Sequence, residues 1–186
     1  MEVKIALSHV ALLLPNVSNA GLFLKNLGLD VGPEEVWDGE GTKEIYVGYG
    51  QANALLLMEP VKEGAYQRAM SKRGPGVHHF AIDVSSMDSF VKSISGSGWL
   101  LHPISISTFT KLKTIYLARP GFPGLIEVHE KSDLNVGSLF IEKISVTLPQ
   151  NLLRLLEPIG LENLVSSSEK TKLSINGQII ELDQLL

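Results

Sequence analysis

The sequence predicts an α+β protein: tandem βαβββ units forming a cupped mixed sheet, with a third, shortened unit at the C-terminus. Three observations carry this expectation. The chain repeats itself at an offset of 70 residues, so that Ser8-His9-Val10-Ala11-Leu12 answers His78-His79-Phe80-Ala81-Ile82, and Lys43-Glu44-Ile45-Tyr46 answers Lys113-Thr114-Ile115-Tyr116. Each leading apolar stretch ends at a breaker or cap (Pro15, Ser85), and each following segment stops at a glycine 19 residues past its histidine (Gly28, Gly98). The apolar run Ala54-Leu55-Leu56-Leu57-Met58 then answers Leu125-Ile126-Glu127-Val128-His129. A fixed period of this kind marks one supersecondary unit used twice, and a site can form where the copies meet.

The elements follow in order. Ile5 to Leu14 is continuously apolar, as in a strand buried on both faces or at a module junction. Asn16 or Ser18 caps a helix through Asn19 to Leu27, which Gly28 ends. Pro33 to Gly41 is an acidic loop or strand edge, and Glu44 to Tyr49 and Asn53 to Met58 are strands. These complete a first unit over residues 1–60, and a linker over 61–76 holds a helical turn around Tyr66 to Met70. The second unit, 77–130, repeats the order: strand Val77 to Val84, a helix from Met87 capped by Ser85 or Ser86, then strands Thr114 to Leu117 and Gly124 to His129. After a polar connector, Lys131 to Asn135, residues 139–186 form an additional partial βαββ unit packed on the same domain. Its signals are a strand over Phe140 to Leu148, a short helix before Gly160, and Asn176-Gly177 between two strands, a strong hairpin pair. Lys143 stands there where the other units carry histidine, so this unit is scaffold.

Composition narrows the function. Of 186 residues, 44% are hydrophobic and 19% charged, enough for a sizeable core. The net charge of −4 gives no basic face, so nucleic acid is not an expected partner. No stretch is long and apolar enough for a membrane span, and Met1-Glu2-Val3-Lys4 lacks a signal-peptide pattern. Zero cysteines exclude disulfides and thiol nucleophiles. The expectation is a cytoplasmic protein acting on a small molecule.

A histidine on an apolar strand is ordinarily a packed residue. Here the conjunction points further: His9 and His79 hold equivalent positions, and a pseudo-two-fold axis would bring them together. Glu127 lies on the last strand of the second unit, and its counterpart is Leu56. Two imidazoles and a carboxylate make a facial set for a divalent ion, with positions left open. Glu44 faces Thr114 in the repeat, an asymmetry that suits an asymmetric substrate. Strict alternation along a strand sends His78 to the face opposite His79, and leaves His129 solvent-facing or behind the ligands. His102, before Pro103, gives no signal; Trp37 and Tyr49 could line a pocket, but core or rim packing is the expected role for each.

On the elements Ser8-His9-Val10-Ala11, Gly41 to Ile45, Leu56 to Pro60, Gly76 to Ala81 and Gly124-Leu125-Ile126-Glu127, the chain resembles the vicinal oxygen chelate superfamily. That superfamily includes glyoxalase I, bleomycin-resistance proteins and extradiol dioxygenases, and the likeness is strongest to its methylmalonyl-CoA epimerase branch. The resemblance covers about residues 5 to 130. It implies His9, His79 and Glu127 as metal ligands and Glu44 and Glu127 as the acid-base pair. The metal would be Co, Mn, Ni, Zn or Fe, and the reaction removal and return of an α-proton on an acyl-thioester or related carboxylate. A CoA thioester is then a candidate substrate and a homodimer a candidate assembly, although the third unit could replace that contact. One departure stands out: the fourth ligand of the epimerases falls at Leu56, which coordinates nothing, and Asn53 has the wrong parity to replace it. Three ligands leave other readings open: an Fe(II) dioxygenase, a glyoxalase-type lyase, or a small-molecule binding protein without catalysis.

Overall fold

The paired histidines sit at the centre of the molecule because the strands that carry them pair with each other. The computed structural model describes residues 3–134 and 137–186; Met1, Glu2 and Asn135 of the segments discussed above lie outside the described residues. Strand β1 (Ile5–Leu13) runs antiparallel to β5 (Gly76–Val84), with Val10 opposite Phe80, His9 opposite Ala81 and Ala11 opposite His79. That register is symmetric about the Val10–Phe80 pair, so a local pseudo-two-fold axis passes there. Each module then wraps outward from its own first strand. The first comprises β1, α1 (Val17–Asn26), β2 (Glu35–Trp37), β3 (Thr42–Val47) and β4 (Ala54–Pro60). The second comprises β5, α3 (Met87–Ser93), β6 (Leu100–Leu101), α4 (Ser105–Leu112), β7 (Thr114–Ala118) and β8 (Leu125–Glu130), and α2 (Ala65–Arg73) links the two. Together they make one eight-stranded mixed sheet in the order β2-β3-β4-β1-β5-β8-β7-β6.

Local chemistry sets the helix starts. Asn16 accepts the Asn19 backbone N–H at 2.9 Å and Ser86 accepts that of Ser89 at 3.3 Å, each satisfying a donor that the helix leaves unpaired. The same helices bury Val17, Ala20 and Leu24, and Met87 and Phe90, against one face of the sheet.

Two β-bulges decide what the other face displays. The β1–β5 register slips at Ser8 and again at His78, positions 70 apart. Each slip lets residues three apart share the helix-covered face, Leu7 with Val10 and Val77 with Phe80. The histidine after each bulge is thereby turned into the concave face. Bulges commonly re-aim a side chain in this way beside a functional site. The expectation that His78 points away from His79 is therefore corrected: alternation fails at the bulge, and the His78 ring lies against Tyr66 of α2.

The C-terminal residues build their own four-stranded sheet, β10-β9-β11-β12, from β9 (Ile141–Val146), β10 (Val165–Ser167), β11 (Lys172–Ile175) and β12 (Gln178–Glu181). Between β9 and β10 lie α5 (Gln150–Leu153) and a 3-10 turn. Asn176 and Gly177 have φ of 49° and 73°, as the tight hairpin requires. This sheet packs on the helix-covered side: Phe140, Ile144, Val146 and Leu156 join the core of Val10, Leu12, Phe80 and Ile82. Trp99 Nε1 donates to the Leu155 carbonyl at 2.8 Å. Asn53 fastens the join, donating to the Ile141 carbonyl at 3.1 Å and accepting the Ile141 N–H at 2.7 Å. Phe140 lies so close to Gly48 (φ 74°) that an added Cβ would stand 2.6 Å from its ring. The third unit thus backs the sheet and leaves the concave face clear.

Candidate metal centre

The concave face is built from residues of equal register on the two modules, but its two halves differ in chemistry. In the first module, Leu13, Tyr46, Leu56 and Met58 line it; their counterparts in the second are Asp83, Tyr116, Glu127 and His129. The apolar half forms a small core of Ala11, Leu13, Leu56 and Met58 that α2 covers with Tyr66, Ala69 and Met70. The polar half holds the candidate centre.

His9 and His79 bring their Nε2 atoms to 3.2 Å. Glu127 Oε2 lies 3.7 Å from His9 Nε2 and 3.3 Å from His79 Nε2. All three donor atoms lie within 4.8 Å of one another, close enough for one small cation. The donor chemistry fits: burial, reinforced by the neighbouring His79, pushes His9 down to about 3, so near neutral pH its ring is uncharged and able to coordinate. Two facing imidazole nitrogens and a carboxylate form a donor set that could hold a divalent ion in place of the hydrogen bonds now joining them.

Around these three the second module supplies a continuous polar chain. Tyr116 donates its hydroxyl to Glu127 Oε1 at 2.7 Å, and His129 Nε2 approaches the same oxygen at 3.1 Å. Both partners engage Oε1, which leaves Oε2 turned to the histidines. Asp83 Oδ1 holds His129 Nδ1 at 3.2 Å, while Lys131 donates to Asp83 Oδ2 at 2.7 Å. Burial works against a charge on Glu127, but hydrogen bonds from His129 and His79 outweigh it and hold the carboxyl far below its usual range. For His129, burial is likewise outweighed, by hydrogen bonds to Asp83 and Glu127, and its value rises to about 9. On the other side, one ring of the His78–His79 pair donates between their Nδ1 atoms, 2.9 Å apart, which orients the His79 ring with Nε2 inward.

Glu44 reaches the same face from β3, where it pairs with Met58. It is buried, and Thr42 donates its hydroxyl to Oε1 at 2.8 Å. Burial raises its carboxyl above the ordinary value despite that hydrogen bond, and the neighbouring Glu40 adds to the rise. A carboxylate so placed is a stronger base than an exposed one.

The structure therefore gathers His9, His79, Glu127 and Glu44 on one face. It draws in Tyr116, Asp83, His129 and Lys131 as well. Tyr116 was visible in the repeat as the counterpart of Tyr46, but its contact with Glu127 depends on the β7–β8 register. Asp83 and Lys131 carry no sequence signal of a role. His129 is three-quarters covered, so of its two expected places the solvent-facing one is excluded. Asn53 is spent on the third unit. Trp37 is half exposed on β2 and Tyr49 is largely exposed, its ring beside Tyr46, so neither sits in the core. The His102 backbone N–H donates to the Tyr116 carbonyl and extends the sheet edge. A cavity of about 510 Å³ lies apart from the centre, at the strand ends between Arg73–His78, Phe122–Gly124 and the third unit, with His78 in its wall.

No family model and no curated protein matches this sequence. Solved structures do. A hypothetical protein from Bacillus halodurans C-125 superposes with a TM-score of 0.57 at 22% identity, over 70% of this chain and 96% of that one. Methylmalonyl-CoA epimerase from Mycobacterium tuberculosis gives 0.53 at 24%, over 69% and 89%. A variant of the Streptomyces coelicolor methylmalonyl-CoA epimerase in complex with 2-nitronate-propionyl-CoA gives 0.53 at 18%, over 70% and 100%. The chain has their fold, that of the vicinal oxygen chelate proteins. These structures are matched over nearly their whole length, while about 30% of this chain extends beyond them.

Proposed function

We propose that this chain, which shares its fold with the methylmalonyl-CoA epimerases, is a metal-dependent epimerase-like isomerase. It would abstract and return an α-proton on an acyl-thioester or related carboxylate. One observation carries the reading: Glu44, a buried carboxylate with a raised value, shares the concave face with the convergent His9, His79 and Glu127. A divalent cation held by those three would supply positive charge beside the carbonyl oxygen on which negative charge develops.

The chain's own groups then divide the work. Glu44 takes the α-proton, with Thr42 fixing its carboxylate. Glu127 faces the site from the other module, and its Oε1 is in contact with His129, through which a proton could be resupplied. Because hydrogen bonds hold Glu127 so strongly ionised, it is the weaker base of the two, and removal of the proton falls to Glu44. Tyr66 and Met70 on α2, packed against the apolar half, keep water from that side.

The test is exchange of the α-proton of a malonyl-type CoA thioester into D₂O, followed by NMR with Mn²⁺ or Co²⁺ present. Exchange is expected for the native chain. It should fall by about 100-fold or more in Glu44→Gln, the usual range for loss of a general base. Metal content by elemental analysis, about one ion per chain and lost in His79→Ala, is the companion measurement. Leu56 favours a second reading, a small-molecule binding protein without catalysis. Ligand binding with no exchange in metal-loaded protein would establish it, and consumption of O₂ with Fe²⁺ would point to a dioxygenase.

A further inference from the structure

The C-terminal unit closes a cavity that the two modules alone would leave open. Its volume of about 510 Å³ falls within the roughly 300–1,000 Å³ usual for small-molecule sites, which favour junctions between units. One wall is Arg73–His78 at the start of β5, with the Phe122–Gly124 turn; the other is Val146–Leu148, Glu169–Thr171 and Leu182–Asp183. That second wall lies outside residues 5 to 130, the stretch that carries the family likeness. Val77, Leu148 and Leu182 pack on the core with only part of their surface and also line the cavity.

The charges around it are few and unevenly placed. Arg73, at the end of α2, donates from Nη1 to the Pro123 carbonyl and has no carboxylate partner among the described residues. Burial, and then the neighbouring His79 and Arg73, hold the His78 ring uncharged, so Arg73 is the cation at this end. His78 Nδ1 is engaged with His79, while its Nε2 has no hydrogen-bond partner among the described residues. No buried side-chain nitrogen or oxygen among those residues lacks a partner, so His78 Nε2 opens outward. On the opposite wall Lys170 is spent on Glu181 and Asp183, at 3.2 and 2.9 Å. Glu169 beside it has no cation partner and would repel a second negative group.

We infer that this cavity is a binding site for a small apolar monocarboxylate. Its carboxylate sits on Arg73, and its apolar body lies along Val77, Phe122, Leu148 and Leu182. A guanidinium with most of its N–H donors unspent is suited to a carboxylate, which accepts paired hydrogen bonds. The half-covered apolar side chains favour a hydrocarbon body over a polar one. One unpaired cation facing Glu169 admits a single negative charge, which disfavours a polyphosphate. The site is separate from the metal centre, and its occupancy does not depend on the isomerase reading.

Binding of decanoate to the full chain tests it, by calorimetry and by amide NMR shift mapping, with Zn²⁺ and again with EDTA. Saturable binding is expected in both, with shifts centred on residues 73–78, 122–124 and 146–148. Affinity should rise about fourfold per methylene from hexanoate to decanoate, the ratio given by each buried CH₂. Arg73→Gln, at an exposed position, should weaken decanoate about 10-fold or more, as loss of a hydrogen bond to a charged group does, and leave decanol unaffected. No saturable binding below about 1 mM overturns the inference. So does decanoate affinity indifferent to Arg73→Gln, or decanol bound as tightly as decanoate; either would show an apolar void without a carboxylate site. Binding abolished by EDTA, or shifts centred on His9 and Glu127, would place the carboxylate on the metal and overturn it too.

Discussion

Replacing Leu56 by glutamate puts the pseudo-symmetry of the centre to a quantitative test. Leu56 pairs with Ala11 as Glu127 pairs with Ala81, and lies across from Tyr46 as Glu127 lies across from Tyr116. A carboxylate introduced there would meet the Tyr46 hydroxyl much as Glu127 meets that of Tyr116. Without metal the change is unfavourable. Leu56 is 4% exposed and packed on Ala11, Leu13 and Met58, so its loss costs about 3 kcal/mol, within the range for emptying such a site. With metal the sign reverses. A fourth donor should tighten binding by about 100-fold, or about 3 kcal/mol, which offsets the packing loss when the ion saturates. Urea unfolding with chelator and with saturating Co²⁺ measures both terms, and Leu56→Ala supplies the packing loss without a donor. A metal-dependent gain in stability no larger in Leu56→Glu than in the native chain would refute the fourth-donor position.

Tyr116→Phe and His129→Gln, which remove the two partners of Glu127 Oε1, should each weaken Co²⁺ binding by about 10- to 100-fold while leaving one ion per chain, as competition with a chromophoric chelator would show. Asn53→Ala leaves the Ile141 N–H and carbonyl unpaired in a buried place and should cost about 2–4 kcal/mol, with faster hydrogen exchange confined to β9 and its neighbours. Stability of the metal-free chain should peak near pH 6.5–7. His9 and His78 have folded values lowered from 6.5 to about 3, so the unfolded chain binds more protons below 6.5 and their contribution is lost as pH falls toward 3. His129 is raised from 6.5 to about 9, so its contribution is full below 6.5 and lost as pH rises through 9. Each proton contributes a slope of at most about 1.4 kcal/mol per pH unit, measurable by thermal melts in chelator, and His129→Gln should flatten the alkaline limb.

How much of this was legible beforehand differs by element. The 70-residue repeat announced two modules, and Asn16, Ser86 and Asn176-Gly177 marked helix starts and a hairpin, because capping and turn chemistry act within a few residues. Helix α4 was illegible for a physical reason: its attachment runs through Ser105 and Thr108, so its apolar residues follow no core-facing pattern. Alternation along the strand misplaces His78 because a bulge is a register event between two strands, invisible along either one.

The sequence by itself determined the candidate residues: two histidines in register, a glutamate whose counterpart in the repeat is Leu56, and a second glutamate on a strand of the first unit. Local repetition fixes residue identity and spacing. Tertiary structure decided the rest. The antiparallel β1–β5 pairing brought His9 Nε2 to 3.2 Å from His79 Nε2, and β7–β8 pairing gave Glu127 its tyrosine. Packing then separated the carboxylates: hydrogen bonds from His129 and His79 hold Glu127 ionised against its burial, while burial raises Glu44. Distances across strands and access of water depend on how distant segments pack, and no local run of residues carries them.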